Sequence, residues 1–215
     1  MERARKNLAD TLGVPVQVLT YAQNKGRGYA LKLAAQNIVT DYMLFCDADF
    51  SIPLSNLSQC LPHITDSSDL IIGSKKMKES KDLIKRSPIR KVVGLGHSTL
   101  ANICFGSTIY DFQGGFKIFS KKLIDEVFPH LTKDRWGFDL EIIFLAHKLG
   151  YEIVEVPVVW AHVENGSSVH LIRDSYRGLV DIVSITLNWI SNRYSSDRIE
   201  ASGTLFQRLI NFNIS

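Results

Sequence analysis

Short apolar runs alternate with amphipathic segments along the chain, and this alternation constrains the fold more than any other feature of the sequence. The run at 42–46 is apolar at every position, which is typical of a strand buried on both faces of a parallel sheet. Strands are predicted at 14–21, 42–46, 69–73, 116–119 and 153–160, and helices at 2–12, 29–37, 55–61, 92–105, 121–128, 137–148 and 171–194. Strands that alternate with helices predict an α/β fold with a mostly parallel sheet flanked by helices.

The size and charge of the chain limit its organisation and its partners. Its 215 residues, 45% of them apolar, suit one globular domain with a sizeable core. A formal charge of +3 argues against nucleic acid as a partner. No stretch reaches the roughly 20 apolar residues that span a membrane. We assign residues 1–170 to the main domain, 171–194 to an amphipathic helix and 195–215 to a tail.

The cysteines and the N-terminus indicate a cytoplasmic protein. The 3 cysteines are widely separated and match no zinc-binding or redox motif. An odd number of unpaired thiols is typical of a reducing compartment. Residues 1–6 are polar and charged, unlike the apolar centre of a signal peptide.

An acidic pair, Asp47 and Asp49, follows the apolar run at 42–46. Residues i and i+2 of an extended chain point to the same face, so both carboxylates can reach one ligand. Ligands of open α/β sheets bind beyond the carboxyl ends of the strands, and two carboxylates there suit Mg²⁺ or Mn²⁺. A solvated turn or a helix cap remains the alternative interpretation, because Asp favours both.

A polar glycine loop at 24–28 precedes the helix predicted at 29–37. Glycines let the backbone approach a phosphate, and the free N–H groups of a helix start attract one. Lys25 and Arg27 add positive charge. An exposed turn without a ligand is equally compatible with the sequence, since the spacing matches neither the P-loop nor the dinucleotide fingerprint.

Six motifs, taken in order along the chain, resemble those of the family 2 glycosyltransferases of the GT-A fold. The closest resemblance is to dolichyl-phosphate mannose and glucose synthases and their bacterial polyprenyl-phosphate relatives, and it extends from about residue 14 to about residue 190. The segment at 135–141 is closer to the glucose branch. The motifs are Asn24-Lys25-Gly26-Arg27-Gly28-Tyr29-Ala30, Asp47-Ala48-Asp49, Ile72-Gly73-Ser74-Lys75, Asp111-Phe112-Gln113-Gly114-Gly115-Phe116-Lys117, Arg135-Trp136-Gly137-Phe138-Asp139-Leu140-Glu141 and Glu155-Val156-Pro157-Val158.

The resemblance implies a role for particular residues in each part of the site. A divalent ion, Mg²⁺ or Mn²⁺, is expected on Asp47 and Asp49, where it contacts the diphosphate of a nucleotide-sugar donor. The donor is also expected to contact Asn24, Lys25, Gly26, Arg27 and Gly28. The acceptor phosphate is expected at Ser74, Lys75 and Arg90, and the catalytic residues are expected to be Asp49, Arg135 and Asp139.

The activity implied by the resemblance is transfer of a hexose from UDP-glucose or GDP-mannose to a polyprenyl or dolichyl phosphate, with inversion. A lipid phosphate is an anion, so it can attack the sugar without a strong base. One alternative is a polysaccharide or soluble acceptor, for which Asp139 could serve as the base. The other is a non-catalytic relative that acts as a binding module.

The N-terminus departs from the family pattern. The family begins with two strands that carry Pro-x-Tyr-Asn-Glu and Asp-Asp-Gly-Ser signals, and neither signal occurs in this chain. About 50 to 60 residues are therefore predicted to be missing, judged from typical element lengths. These strands normally supply much of the nucleotide pocket, so their loss favours the non-catalytic alternative.

The helix predicted at 171–194 has one apolar and one polar face, which suits the surface of a membrane. The run at 75–91 is rich in Lys and Arg and would lie near anionic lipid. These features predict a peripheral protein on the cytosolic face of a membrane. Packing of the helix on the domain or on a partner is the alternative, and a membrane-protein partner or a second copy of the chain remains open.

Overall fold

The computed structural model describes residues 15–65, 67–82, 88–160 and 171–194. The predicted helix at 2–12 and the tail at 195–215 lie outside these ranges. The helices are α1 (Arg27–Ala35), α2 (Leu57–Cys60), α3 (Pro88–Phe105), α4 (Lys121–Val127), α5 (Phe138–Lys148) and α6 (Leu171–Ile190). The strands are β1 (Tyr42–Cys46), β2 (Ser68–Ser74), β3 (Lys81–Asp82), β4 (Phe116–Ser120), β5 (Glu152–Pro157) and β6 (Val159–Trp160).

The main sheet has the strand order β1-β4-β2-β5, and β3 pairs with β6 beside it. The predicted α/β class is confirmed. Strands β1, β2 and β5 point in one direction, as expected, but β4 lies between β1 and β2 and is antiparallel to both. The sheet is therefore mixed. Because β4 begins beside the carboxyl end of β1, where Phe116 pairs with Cys46, it can only run back along its neighbours.

The strand predicted at 14–21 is wrong for residues 15–21, which form no strand in the described structure. Val18 and Leu19 are instead exposed, at 44% and 36%. A segment with alternating apolar residues forms a strand only where a neighbouring strand can pair with its backbone N–H and C=O groups. No strand of the described part of the chain pairs with this segment, so its apolar pattern alone is insufficient to form a strand.

Two predicted elements are divided into shorter pieces in the structure. The strand predicted at 153–160 divides into β5 and β6 at Pro157, which has no N–H to continue the ladder. The amide of Lys81 then donates to the carbonyl oxygen of Val158 at 3.1 Å, which draws β6 toward β3. The helix predicted at 55–61 becomes the short α2 with a 3-10 turn at each end.

The core lies on both faces of the main sheet. Successive residues of a strand point to opposite faces, so Leu70 and Ile72 of β2 pack against α3, α4 and α5 while Ile71 packs on the side of α2. The two clusters of buried side chains, one on each face of the sheet, consist of hydrophobic residues, which explains the apolar runs in the sequence. Charged side chains collect at the edge of the sheet where β1 and β2 end, while Lys117, Asp139 and Glu141 are buried.

Candidate active site

Three strand ends meet at one edge of the main sheet. β1 ends at Cys46 and β4 begins at Phe116, and these two residues are paired. The Asp47 amide donates to the carbonyl oxygen of Gly115 at 3.0 Å, which extends this pairing by one step. β2 ends at Ser74 at the same edge. The predicted donor residue Asp47 and the predicted acceptor residue Ser74 are therefore brought to the same edge of the sheet.

The carboxylate of Asp47 is held from two sides. The guanidinium of Arg27 forms an ion pair with it. Arg27 also lies over the rings of Phe45 and Trp136, at 5.7 Å and 5.1 Å from their centroids. On the other side is Gly115, where an added Cβ would overlap the carboxylate. Only glycine fits at position 115 with Asp47 in this orientation.

Asp49 lies at the tip of a tight turn that follows β1. Its carboxylate accepts the backbone N–H of Ser51 at 3.0 Å, and the amide of Phe50 donates to the carbonyl oxygen of Asp47 at 3.0 Å. Phe50 has φ 47, a conformation rare outside glycine. The turn leaves Asp49 exposed to solvent and to any ligand at the sheet edge.

The carboxylates of Asp47 and Asp49 could supply some of the oxygen ligands of Mg²⁺ or Mn²⁺. In the described ranges, no group of three or more His, Cys, Asp and Glu side chains is arranged to hold a metal ion. Mg²⁺ is usually held by one or two carboxylates, with substrate phosphates and water as the remaining ligands. The two aspartates match that set of ligands, and Gly115 packs against Asp47 without a side chain that would displace its carboxylate.

The glycines of the 24–28 loop allow a close approach to the loop at 131–137. Added Cβ atoms would lie 2.4 Å from the carbonyl oxygen of Asp134 at Gly26 and 2.7 Å from that of Lys133 at Gly28. The amide of Tyr29 donates to the same Asp134 oxygen at 3.1 Å. In this structure the glycines therefore serve the packing of α1 on the 131–137 loop.

The other residues of the 24–28 loop differ in their position. Arg27 is the first residue of α1 and extends to Asp47, which joins the loop to the acidic pair. Asn24 is exposed and its side chain accepts the backbone N–H of Gly26 at 3.0 Å. Lys25 is exposed and lies 4.4 Å from the ring centroid of Tyr29. Their roles in donor binding stay predictions.

A buried ion pair that the sequence analysis did not identify lies behind the acidic pair. The Lys117 ammonium donates to Asp139 Oδ1 at 2.6 Å and to the carbonyl oxygen of Gly114 at 2.6 Å. Burial raises the pKa of Asp139 above its ordinary value, and the positive charge of Lys117 opposes that shift. The signal in the sequence is a lysine within a strand whose neighbouring residues are apolar.

The 131–137 loop carries Arg135 at the surface and is anchored by Glu141. The buried Glu141 carboxylate accepts the backbone N–H groups of Thr132 and Lys133 at 2.9 Å and 2.8 Å. It also accepts the hydroxyl of Tyr194 at 2.7 Å. Burial and the negative charge of Glu141 raise the pKa of Tyr194 above its ordinary range. Glu141 therefore fixes the loop that presents Arg135.

The turn after β2 is held by the buried carboxylate of Asp111, which the half-buried carboxylate of Glu155 supports in turn. Asp111 accepts the backbone N–H of Lys75 at 3.0 Å, and Glu155 accepts that of Asp111 at 2.9 Å. Burial acts to raise the pKa of Asp111, but the nearby lysine charges and the Lys75 amide together lower it below its ordinary value. The Lys75 ammonium lies 5.7 Å from the ring centroid of Trp160. Asp111 and Glu155 both belong to the six motifs, but the sequence analysis assigned no role to either residue.

Lys76 connects this turn to α3. Its ammonium donates to the carbonyl oxygen of Gly94 at 3.1 Å and to the hydroxyl of Ser98 at 2.7 Å. Arg90, the third residue predicted at the acceptor phosphate, belongs to the first turn of α3, and its side chain lies outside the described part of the structure. The turn and the start of α3 are therefore joined, whereas the contact of Arg90 stays a prediction.

The fold is that of the GT-A glycosyltransferases. The structure resembles glucosyl-3-phosphoglycerate synthase from Mycobacterium tuberculosis in complex with UDP, with a TM-score of 0.57 and 17% identity, over 84% of this chain and 64% of that chain. The same synthase in complex with Mn²⁺, UDP-glucose and glycerol 3-phosphate gives a TM-score of 0.57 with 16% identity, again over 84% of this chain and 64% of that chain. At such identities the likeness establishes the fold.

The chain belongs to Glycosyl transferase family 2, whose pattern matches residues 2–128. It is 33% identical over 194 residues to the dolichyl-phosphate beta-glucosyltransferase of Saccharomyces cerevisiae, which covers 85% of this chain and 58% of the relative. The Dictyostelium discoideum enzyme of the same name is 32% identical over 81% of this chain and 55% of the relative, and the human one 26% over 72% and 49%. The resemblance inferred from the six motifs is confirmed. The chain spans about half the length of these relatives, and the missing N-terminal strands stay a prediction.

Proposed function

We propose that this chain is the catalytic domain of an enzyme that transfers glucose from UDP-glucose to a polyprenyl phosphate of the dolichyl phosphate type. The observation that carries the proposal is the meeting of two charged regions at one sheet edge. Asp47 with Arg27 forms one region, and the turn of Ser74 and Lys75 forms the other. The names of the relatives support glucose as the sugar and dolichyl phosphate as the acceptor.

In the proposed reaction, a phosphate oxygen of the lipid attacks the anomeric carbon of glucose. The bond from that carbon to the β-phosphate oxygen breaks, so the products are a polyprenyl phosphate glucose of inverted configuration and UDP. An anionic phosphate needs no strong base. The burial of Asp139 and its bond to Lys117 agree with this, since Asp139 is poorly placed to take a proton from a hydroxyl acceptor. This observation favours a phosphate acceptor over a polysaccharide.

Each charged side chain at the sheet edge takes a separate part in the proposal. Asp47 and Asp49 hold Mg²⁺ or Mn²⁺, which when bound offsets the negative charge of the leaving diphosphate. Arg27 binds the diphosphate oxygens, and Lys75 binds the acceptor phosphate. Positive charges on both sides bring two mutually repelling phosphate groups together. Arg135 completes the site from the 131–137 loop.

The outer surfaces of α3 and α6 support peripheral contact with the cytosolic face of a membrane. The two helices pack together, with the ring of His97 against Gly178. Both carry exposed apolar side chains, which are Val92, Leu95 and Ile103 on α3 and Tyr176, Val180, Val183, Leu187 and Ile190 on α6. No helix in the described ranges combines the length and the apolar character needed to cross a bilayer.

The test is calorimetric binding of UDP-glucose and GDP-mannose to the full chain, with and without Mn²⁺. We expect binding of UDP-glucose that depends on Mn²⁺ and is lost in Asp47→Asn. The matched control is Asp125→Asn, which removes an exposed carboxylate of α4 that pairs only with Lys121 among the described contacts. Binding of GDP-mannose instead would change the assigned donor, and binding of neither would reject the transferase function of this chain.

A further inference from the structure

A fully buried ion pair lies directly behind the candidate metal site. Lys117 is 0% exposed and Asp139 is 4% exposed, and the Lys117 ammonium lies 2.6 Å from Asp139 Oδ1. Removing two charges from water is unfavourable, and apolar residues of similar volume often stabilise a core equally well. Stability alone therefore does not account for a charged pair at this position.

The second contact of Lys117 links the pair to the site. Its ammonium donates to the carbonyl oxygen of Gly114 at 2.6 Å, in the turn that leads into β4. The next residue, Gly115, accepts the backbone N–H of Asp47 at 3.0 Å and packs against the Asp47 carboxylate. A continuous path of contacts therefore runs from Asp139 through Lys117 and the Gly114–Gly115 turn to Asp47.

Neither member of the pair reaches a ligand at the sheet edge. Lys117 has no exposed surface, and nearly all of Asp139 is covered by the core. Any effect of the pair on the reaction is therefore indirect, and the Gly114–Gly115 turn gives it a route of direct contacts to Asp47. Residues that orient a metal ligand without touching the ion are known to alter metal affinity.

We propose that Lys117 and Asp139 are positioning residues that hold the Gly114–Gly115 turn against Asp47, and so keep Asp47 in place for a divalent ion and the donor diphosphate. The inference rests on the proposed function, because it takes Asp47 as a carboxylate that holds the ion. It gives Asp139 a role through Lys117 instead of the catalytic role implied by the resemblance.

The test is the Mn²⁺ affinity of the full chain in the presence of UDP, measured calorimetrically for the double variant Lys117→Met with Asp139→Leu. The double substitution leaves no unpaired charge in the core, so the protein is expected to fold. We expect Mn²⁺ to bind roughly 10- to 100-fold more weakly, while the thermal unfolding midpoint changes little. Unchanged Mn²⁺ affinity in the folded double variant would overturn the inference.

Gly115→Ala tests the same path from its other end without altering the buried pair. The added methyl group would overlap the Asp47 carboxylate and displace it. The matched control is Gly96→Ala in α3, where a Cβ meets nothing within 4 Å. Weaker Mn²⁺ binding in Gly115→Ala but not in Gly96→Ala supports the last step of the path, in which the turn keeps Asp47 in place. Equal Mn²⁺ affinity in the two alanine variants contradicts it.

The unsubstituted chain separates this inference from the proposed function. If it binds neither Mn²⁺ nor UDP, the proposed function fails and the positioning role falls with it. If the unsubstituted chain binds both and the double variant and Gly115→Ala bind them equally well, the donor site stands and only the role of Lys117 and Asp139 is wrong.

Discussion

At the scale of single residues, the guanidinium of Arg27 neutralises the Asp47 carboxylate through an ion pair. A bound metal ion would have to compete with its guanidinium for the same carboxylate. We therefore expect Arg27→Gln to strengthen Mn²⁺ binding in the absence of nucleotide by about three- to fivefold, equivalent to ~0.6–1 kcal/mol for a partly exposed ion pair. The same variant should bind UDP-glucose more weakly, because a cation that contacts the diphosphate is lost.

Calorimetric titrations with Mn²⁺ alone and with UDP-glucose measure the two effects of Arg27→Gln separately. Arg193→Gln, at an exposed position after α6, is the control for the loss of one positive charge. Weaker binding of Mn²⁺ alone in Arg27→Gln would show that Arg27 does not compete for Asp47.

The buried pair of Lys117 and Asp139 makes a second prediction at this scale. Lys117→Met leaves the Asp139 carboxylate in the core without its partner, so we expect the free energy of unfolding to fall by about 3–5 kcal/mol. Adding Asp139→Leu removes the isolated charge and should recover most of that loss. Urea unfolding of the single and double variants measures both values, and equal stabilities would mean that Asp139 is protonated or hydrated once Lys117 is removed.

Some site residues could be identified from the sequence and others could not. Asp47 and Ser74 follow apolar runs, and a strand end in an α/β sheet is where a ligand is expected. Lys117, Asp111 and Glu155 act through contacts with residues far away in the chain, and no local spacing records such contacts. Lys117 alone had a local signal, which is a charged residue within a buried strand.

At the scale of elements, α6 has an apolar row that the rest of the described structure leaves exposed. Leu187 belongs to this row and is 57% exposed, whereas Val39 lies between α1 and β1 and is 94% exposed. We expect Leu187→Glu to weaken binding to vesicles that contain phosphatidylserine by roughly 10- to 100-fold, because burying a leucine in lipid is worth about 1.5–3 kcal/mol. Vesicle flotation measures this, with Val39→Glu as the control. Equal binding of the two variants would exclude α6 from the membrane contact.

The turn after β2 depends on the charge of Asp111. Burial opposes ionisation, but the neighbouring lysines and the Lys75 amide lower the pKa of Asp111 overall. The stabilising contribution of its carboxylate is therefore complete above the ordinary Asp pKa of about 3.9 and is lost as the pH falls through the lower folded-state pKa.

We expect Asp111→Asn to lower the free energy of unfolding by about 1–3 kcal/mol at neutral pH. The difference from the unsubstituted chain should shrink in acid, below about pH 4. Urea unfolding at neutral and acidic pH tests this, and a difference that stays constant would mean that the lysines do not stabilise the ionised form.

The strands were predicted with unequal success for a physical reason. The runs of β2 and β4 are buried on both faces, and that of β1, at the edge of the sheet, is half-buried on both, so their hydrophobic composition identifies all three as strands. Direction depends on where the chain enters the sheet, and the sequence of β4 does not record that it starts beside the end of β1. The segment at 15–21 has the pattern of a strand but lacks a neighbour among the described residues. Pairing is a property of two segments, and a single-segment pattern cannot establish it.

At the scale of the whole molecule, ligand binding and folding stability are linked. A donor that binds only the folded state stabilises it, by ~2.7 kcal/mol at a concentration about 100 times its dissociation constant. For a chain of this size, each kcal/mol raises the unfolding midpoint by about 2–4 °C. We expect UDP-glucose with Mn²⁺ to raise the midpoint by several degrees and to have no such effect on Asp49→Ala. An equal shift in Asp49→Ala would place binding away from the acidic pair.

The packing of α1 on the 131–137 loop has a consequence for how the chain is made. Tyr29 bonds to Asp134, and Gly26 and Gly28 are covered by the backbone of that loop, although the two segments are far apart in the sequence. During synthesis, α1 therefore leaves the ribosome before the 131–137 loop on which it packs. The contacts of α1 with that loop can therefore form only after the 131–137 loop has emerged from the ribosome.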